Sequence, residues 1–269
     1  MAWTSFPVDR FQGAVRAPGD KSCSHRSLMF AGVAEGVSEV SGLLEGEDVL
    51  NTARAMQALG AEIERTGPGR WRIEGTGKSG LRSPEGPLDF GNSGTGSRLM
   101  MGLMAGYGLT AEMIGDESLS ARPMARVMDP LKEMGAKFSP DGRDRLPLTL
   151  TGRSDLQALS YAPRQASAQV KSAILLAGLN AQGTTEVTEL RATRDHTERM
   201  LRSFGAEVTV RAGSGTQNIV SLKGGQPLHA VETVIPGDPS SAAFLIAGAV
   251  ISPSGGVVVE NIMSNETRD

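Results

Sequence analysis

Apolar residues return at helical spacing in three stretches, RAMQALG (54–60), DPLKEMG (129–135) and RMLRSFG (199–205), and each stretch halts at a glycine. Beyond that glycine the chain alternates through a strand, a turn and a second strand: AEIERTGPGRWRIEGTG, AKFSPDGRDRLPLTLTG and AEVTVRAGSGTQNIVSLKGG. Gly60, Gly135 and Gly205 stand 75 and 70 residues apart and are expected in the left-handed region just past a helix end. Upstream of each stretch, SHRSLMFAGVAEG, GTGSRLMMGLMAGYG and SAQVKSAILLAGLNAQG predict a second kind of helix, rich in small residues and running out at Gly36, Gly108 and Gly183. The pattern is a repeated unit of the βαβαββ type, hence an α/β fold, with the small-residue helices packed in the interior. A fourth copy opens at GDPSSAAFLIAGAV and reaches its strand, but Asp269 stands where its second helix should begin. The expectation is an incomplete chain.

Composition sharpens this picture only in part. The 269 residues are 39% hydrophobic and 4% aromatic, so the core must be aliphatic. A net charge of −3 argues against a broad basic face for nucleic acid. A single cysteine, Cys23, allows no internal disulfide and reads as a small packed group beside Lys21. No apolar run reaches the ~18 residues of a membrane span, and the first residues carry no secretory or transit pattern. The reading is a soluble cytoplasmic protein with no membrane and no nucleic-acid partner.

Polar chemistry gathers at the starts of the small-residue helices. PGDKSCSHR places Lys21, Ser22, Ser24 and Arg26 at a helix N-terminus, where partial positive charge already resides. Such crowding asks for a bound anion, phosphate first. GNSGTGSR supplies Asn92, Ser93, Thr95, Ser97 and Arg98 at the matching place in the second unit, and ASAQVK supplies Ser167, Gln169 and Lys171 in the third. One such cluster is ordinary capping, whereas three in register favour a shared anionic ligand. Neither a Walker pattern nor a dinucleotide fingerprint is present. Arg122 precedes Pro123, expected in the first turn of the next helix. Arg194, Asp195 and His196 occupy the corresponding mouth in the third unit, Asp195 as its expected N-cap. His25, His196 and His229 have no mutual metal spacing, and no metal site is expected.

Taken in order, PGDKSCSHR, GNSGTGSRL, ARPM, SAQVKSAILLAGL and IPGDPSSAAFLIAGA resemble the 5-enolpyruvylshikimate-3-phosphate synthase family, class II in wording. The resemblance implies the enolpyruvyl transferase fold, an inverse α/β prism of two three-unit domains. Residues 18–236 would form one complete domain, and 1–17 and 237–269 would belong to a second, incomplete one. It also implies transfer of the enolpyruvyl group of phosphoenolpyruvate to the 5-hydroxyl of shikimate 3-phosphate, with release of phosphate and no cofactor. Carried over by motif, Lys21, Ser22, Arg26, Ser167, Ala168 and Gln169 would bind shikimate 3-phosphate. Lys21, Gly94, Arg122 and Gln169 would face phosphoenolpyruvate, with Lys21 the one catalytic group present. The family's proton-transfer carboxylates lie in later units, so activity is expected only with a complementing C-terminal fragment. Glyphosate competes with phosphoenolpyruvate in this family, and Gly94 or a position near Leu99 would set tolerance to it. Two other readings remain: a relative acting on UDP-N-acetylglucosamine, and a non-catalytic module that holds shikimate phosphate.

Overall fold

The computed structural model describes residues 4, 6, 10–252 and 255–267. Residues 1–3, 5 and 7–9 of the expected segment 1–17, and 253, 254, 268 and 269 of the segment 237–269, lie outside the described residues. Strand β1 (Gly13–Arg16) leads into the first unit: α1 (Lys21–Val33), β2 (Val37–Ser41), α2 (Glu47–Ala58), β3 (Glu62–Gly67) and β4 (Arg70–Glu74). The second unit runs β5 (Leu88–Asp89), α3 (Gly94–Ala105), β6 (Thr110–Ile114), the single-turn α4 (Glu117–Ser120), α5 (Ala125–Met134), β7 (Lys137–Ser139) and β8 (Leu148–Thr151). The third runs β9 (Ser160–Tyr161), α6 (Ala168–Gly178), β10 (Thr184–Glu189), α7 (His196–Ser203), β11 (Val208–Ala212) and β12 (Asn218–Lys223). Then follow β13 (Glu232–Val234), α8 (Pro239–Ile251) and β14 (Val257–Glu260).

Each unit builds one four-stranded sheet with the same internal order: β5-β6-β8-β7, β9-β10-β12-β11 and β13-β2-β4-β3. In each, the leading strand pairs parallel to the first long strand and the last two form an antiparallel hairpin. The first unit has no leading strand of its own. It takes β13, in register Glu232↔Glu39 to Val234↔Ser41, so the chain closes a ring of three sheets on itself. Strands β1 and β14 pair with each other in a separate parallel ribbon.

The small-residue helices α1, α3 and α6 form the centre. From Leu28 to Ala31 of α1, Leu99 to Ala105 of α3 and Ala173 to Ala177 of α6, every apolar side chain is buried. Close approach requires glycine at one point: a β-carbon on Gly102 would run into the Ala173 backbone. The second helices α2, α5 and α7 pack one face on this centre and leave the other exposed, and their stops are the left-handed glycines expected: Gly60 at φ +114°, Gly135 at +115° and Gly205 at +94°.

A second glycine recurs where each hairpin returns. Gly75, Gly152 and Gly224 each follow the last strand of a unit and abut carbonyl groups at the C-terminal end of that unit's central helix. The residue after each donates its N–H there: Thr76 to Gly32 O, Arg153 to Ala105 O and Gly225 to Leu179 O, at 3.0, 2.9 and 2.7 Å. Helix-end carbonyls left without intrahelical partners are thereby satisfied inside the protein. Two local expectations need correction. Pro123 precedes the helix instead of entering its first turn, because α5 starts at Ala125 behind an N-cap at Met124. Asp195 occupies the N-cap position of α7 without capping it. Its carboxylate instead accepts from Arg199, Asn265 and Thr267.

Candidate functional site

Helices α1, α3 and α6 present their N-termini at one end of the domain centre, and each is capped by its own sequence. Asp20 accepts from Cys23 N at 2.8 Å, Ser93 from Gly96 N at 3.1 Å and Ser167 from Val170 N at 3.4 Å. Cross-links hold the three first turns together. Gln169 Nε2 donates to Thr95 Oγ1 at 2.9 Å, and Arg98 Nη1 donates to Gln169 Oε1 at 3.2 Å, joining α3 to α6. Arg26 of α1 donates to Ser172 of α6 at 2.8 Å and to Thr197 of α7 at 2.7 Å. His25 of α1 meets Thr52 of α2 at 2.8 Å, directly under the backbone of Gly96.

Positive charge concentrates at this end. Arg98 is half-buried, and burial chiefly, then Arg126 and Arg122, hold its pKa below the ordinary guanidinium value. Arg122 is fixed by neutral groups, donating to Asn92 Oδ1 at 3.1 Å and Ser118 Oγ at 3.4 Å. A β-carbon on Gly94 would lie 3.0 Å from Arg122 Nη1 and 3.2 Å from Arg98 Nη1, so both forks reach the first residue of α3. Among the described residues Arg98, Arg122, Arg126 and Arg194 make no ion pair with a carboxylate. Like charges at helix N-termini repel one another unless an anion joins them, and arginine forks suit phosphate or carboxylate oxygens.

The expected site residues fall into four places. Gly94, Arg122 and Gln169 surround one cationic patch, linked through Arg98. Ser167 and Ala168 open α6 beside it, with Ser22 in the first turn of α1. Lys21 is half-exposed and held by Asp48 at 3.0 Å. Arg26 lies deeper, only 4% exposed, and burial lowers its pKa. Its fork rests on Thr197, Ser172 and the Ser22 carbonyl. Leu99 is fully buried in the core and lines no part of the patch. A cavity of about 560 Å³ opens at the opposite, C-terminal ends of the three helices, past Val33, Tyr107 and Asn180, where helix ends favour cations and no arginine cluster lies.

Sequence reasoning did not find Asp48, Thr52, Ser172, Thr197, Glu189 or Glu198. Thr197 and Glu198 had a local signal as direct neighbours of the Arg194–His196 mouth, and Ser172 had one as the neighbour of Lys171 inside SAQVKSAILLAGL. The others reach the site from different units and carry no mark in their own surroundings.

The model of the EPSP synthase (3-phosphoshikimate 1-carboxyvinyltransferase) family matches residues 6–269. A 3-phosphoshikimate 1-carboxyvinyltransferase of Hyphomonas neptunium is 63% identical over 270 residues, which cover 100% of this chain and 61% of that protein. One from Caulobacter vibrioides is 56% identical, with 98% of this chain and 60% of the relative covered. The solved EPSP synthase from Acinetobacter baumannii superposes with a TM-score of 0.86 at 46% identity, covering 96% of this chain and 57% of that one. The chain thus spans about 60% of the length of the curated relatives it matches.

Proposed function

The chain belongs to the EPSP synthase family, and on that premise we propose that it binds shikimate 3-phosphate and phosphoenolpyruvate for enolpyruvyl transfer between them. The observation that carries this reading is the set of arginines that have no carboxylate partner among the described residues, Arg98, Arg122 and Arg126, gathered at the first turns of α3 and α6. Two anionic substrates held side by side need this surplus of positive charge. Arg122, Gly94 and Lys21 would take phosphoenolpyruvate. Ser22, Arg26, Ser167 and Ala168 would take shikimate 3-phosphate, and Gln169 would stand between the two.

In the reaction the 5-hydroxyl gives up its proton as its oxygen bonds to C2 of phosphoenolpyruvate, and a proton adds to C3. Loss of phosphate from C2 and of a proton from C3 then restores the double bond. The residues here supply electrostatics and orientation: the arginines hold the departing phosphate, and Lys21, poised by Asp48, can hold or pass a proton. The family's carboxylate acid and base have no counterpart assigned among these residues. We therefore assign binding to these 269 residues and turnover to their combination with a complementing C-terminal segment. Residues 18–236 would be the binding domain, residues 1–17 and 237–269 would belong to the second domain, and the setting would be cytoplasmic.

Calorimetry on the 269-residue chain tests this. Shikimate 3-phosphate should bind with 1:1 stoichiometry, and phosphate release from the two substrates should be absent until the complementing segment is added. Arg122→Ala should cost about 1.5–3 kcal/mol of phosphoenolpyruvate affinity in the combined protein, the worth of a charge-assisted hydrogen bond. Binding of shikimate 3-phosphate without turnover after complementation would leave only the non-catalytic reading, and no binding would remove both.

A further inference from the structure

The anion site leaves one buried ionic cluster without a task. Lys171 lies on α6 two residues past Gln169 and is 1% exposed. Its ammonium stands 3.0 Å from Glu189 Oε1 and 2.6 Å from Glu198 Oε1. Glu189, the last residue of β10, also accepts from the amide and hydroxyl of Thr193, whose carbonyl accepts from Lys171 at 3.5 Å. Glu198 follows Thr197 on α7, and its Oε2 is buried with no hydrogen-bond partner. Arg26 lies on the other side of Thr197. Among the described residues it touches no carboxylate, yet Glu198 is among the charges that act on it. Two buried cations therefore face two buried carboxylates, and the contacts divide them unevenly: Lys171 holds both acids and Arg26 holds neither.

We propose that Lys171 is a positioning residue for Arg26: by engaging Glu189 and Glu198 it keeps them off the guanidinium, whose charge stays available to the phosphate-bearing substrate. The inference rests on the reading of Arg26 as a ligand of shikimate 3-phosphate. Hydroxyl and carbonyl acceptors orient a guanidinium without neutralising it, whereas a paired carboxylate would compete with phosphate for the same donors. Glu198 is the acid best placed to do so. Its neighbour Thr197 already contacts Arg26, and its second oxygen lacks a partner. A buried carboxylate that loses its cation must find another or take up a proton, and Arg26 is the cation across Thr197. The charged groups around Glu198 are Lys171 from α6, Glu189 from β10, Arg26 from α1 and Arg199 on its own helix.

A cluster that only held α6, β10 and α7 together would make every substitution loosen fold and ligand alike. The charge argument gives opposite signs. In calorimetry on the 269-residue chain, Lys171→Met should weaken shikimate 3-phosphate binding about tenfold, since Glu198 is freed towards Arg26. Glu198→Gln should bind at least as tightly as wild type while melting at a lower temperature. The double variant Lys171→Met/Glu198→Gln should return to within about twofold of wild type. Weaker binding by Glu198→Gln, unchanged binding by Lys171→Met, or no recovery in the double variant overturns the proposal. Should Lys171→Met fail to fold, the other two variants decide by the same criteria. Inorganic phosphate is titrated in parallel. Wild type that binds phosphate in an Arg26-dependent way but not shikimate 3-phosphate sinks the substrate reading alone, and the variants then test the charge argument on phosphate. Wild type that binds neither overturns both.

Discussion

His25 is kept neutral by its position. Burial chiefly, then Arg26, brings its pKa down to about 3, while Asp48 pulls it up and Lys21 lowers it again. Its Nδ1 meets Thr52 and its Nε2 is buried without a partner, so a proton arriving there would gain no hydrogen bond. The unfolded chain takes up that proton near pH 6.5, well before the folded chain does. Stability is therefore lost as pH falls from about 6.5 towards about 3, with a limiting slope of about 1.4 kcal/mol per pH unit. His25→Gln cannot be charged and keeps a polar group near Thr52. Urea unfolding at pH 6.5 and 4.5 should show wild type losing about 2 kcal/mol more than the variant between these values. Equal losses would mean that His25 is already solvated in the native state. None of this was legible in the sequence, where His25 reads as one polar residue at a basic helix start. Arg98 and Gln169 were legible, because repeat alignment brought their helix starts into register before any contact was known, whereas Arg122 was joined to them only by the family resemblance. Arg26 was legible as a cation at a helix start but not as a buried one, since Ser172 and Thr197 come from another unit.

Among elements, the expected ones are those with a period or a stop signal. The central helices carry small residues, the second helices a narrow apolar stripe and a left-handed glycine, and the hairpins alternate. Strands β5, β9 and β13, of two or three residues each, are too short to show a period, and β13 pairs with a strand almost two hundred residues earlier. The ring closure was invisible for that reason. The glycines after the last strands stood in the aligned segments, but their purpose is three-dimensional. Gly152 shows it: an added β-carbon would overlap the carbonyl oxygens of Met104 and Tyr107 and come within 2.9 Å of that of Ala105. All three are backbone atoms at a helix end and cannot rotate away. Gly152→Ala should lower stability by about 3 kcal/mol or more, a large effect for one methyl group, because the whole hairpin return must move. Gly86, with nothing within 4 Å of its would-be β-carbon, is the control, and Gly86→Ala should stay within about 0.5 kcal/mol of wild type. Comparable melting temperatures for the two variants would show that the return is free to shift.

For the molecule as a whole, the unequal state of its four small-residue helices matters most. Helices α1, α3 and α6 are enclosed, but α8, apolar on all sides, buries only Ala242 among its residues. Phe244, Val250 and Ile251 are 83%, 79% and 82% exposed. A helix of this composition is built for an interior, and an exposed patch of that kind drives association. The ring of three sheets does not depend on it, since β13 closes the first sheet before α8 begins and Pro236 O already accepts from Asp20 N at 2.8 Å. Residues 18–236 should therefore fold alone and unfold cooperatively. They give up the β1–β14 ribbon, the bonds of Gly237 and Asp238 to the ring, and the Asn265 and Thr267 contacts to Asp195. Every residue assigned here to shikimate 3-phosphate lies inside that span, so affinity for it should change by less than about fivefold, roughly 1 kcal/mol. Binding of a hydrophobic dye, and any concentration-dependent association by sedimentation, should fall sharply relative to the 269-residue chain. A shortened chain that is unfolded, or that loses the ligand, would show that α8 and the ribbon hold the mouth of α7 in place. In that case the contacts from Asn265 and Thr267 to Asp195 belong to the binding site and are more than a tether to its neighbour.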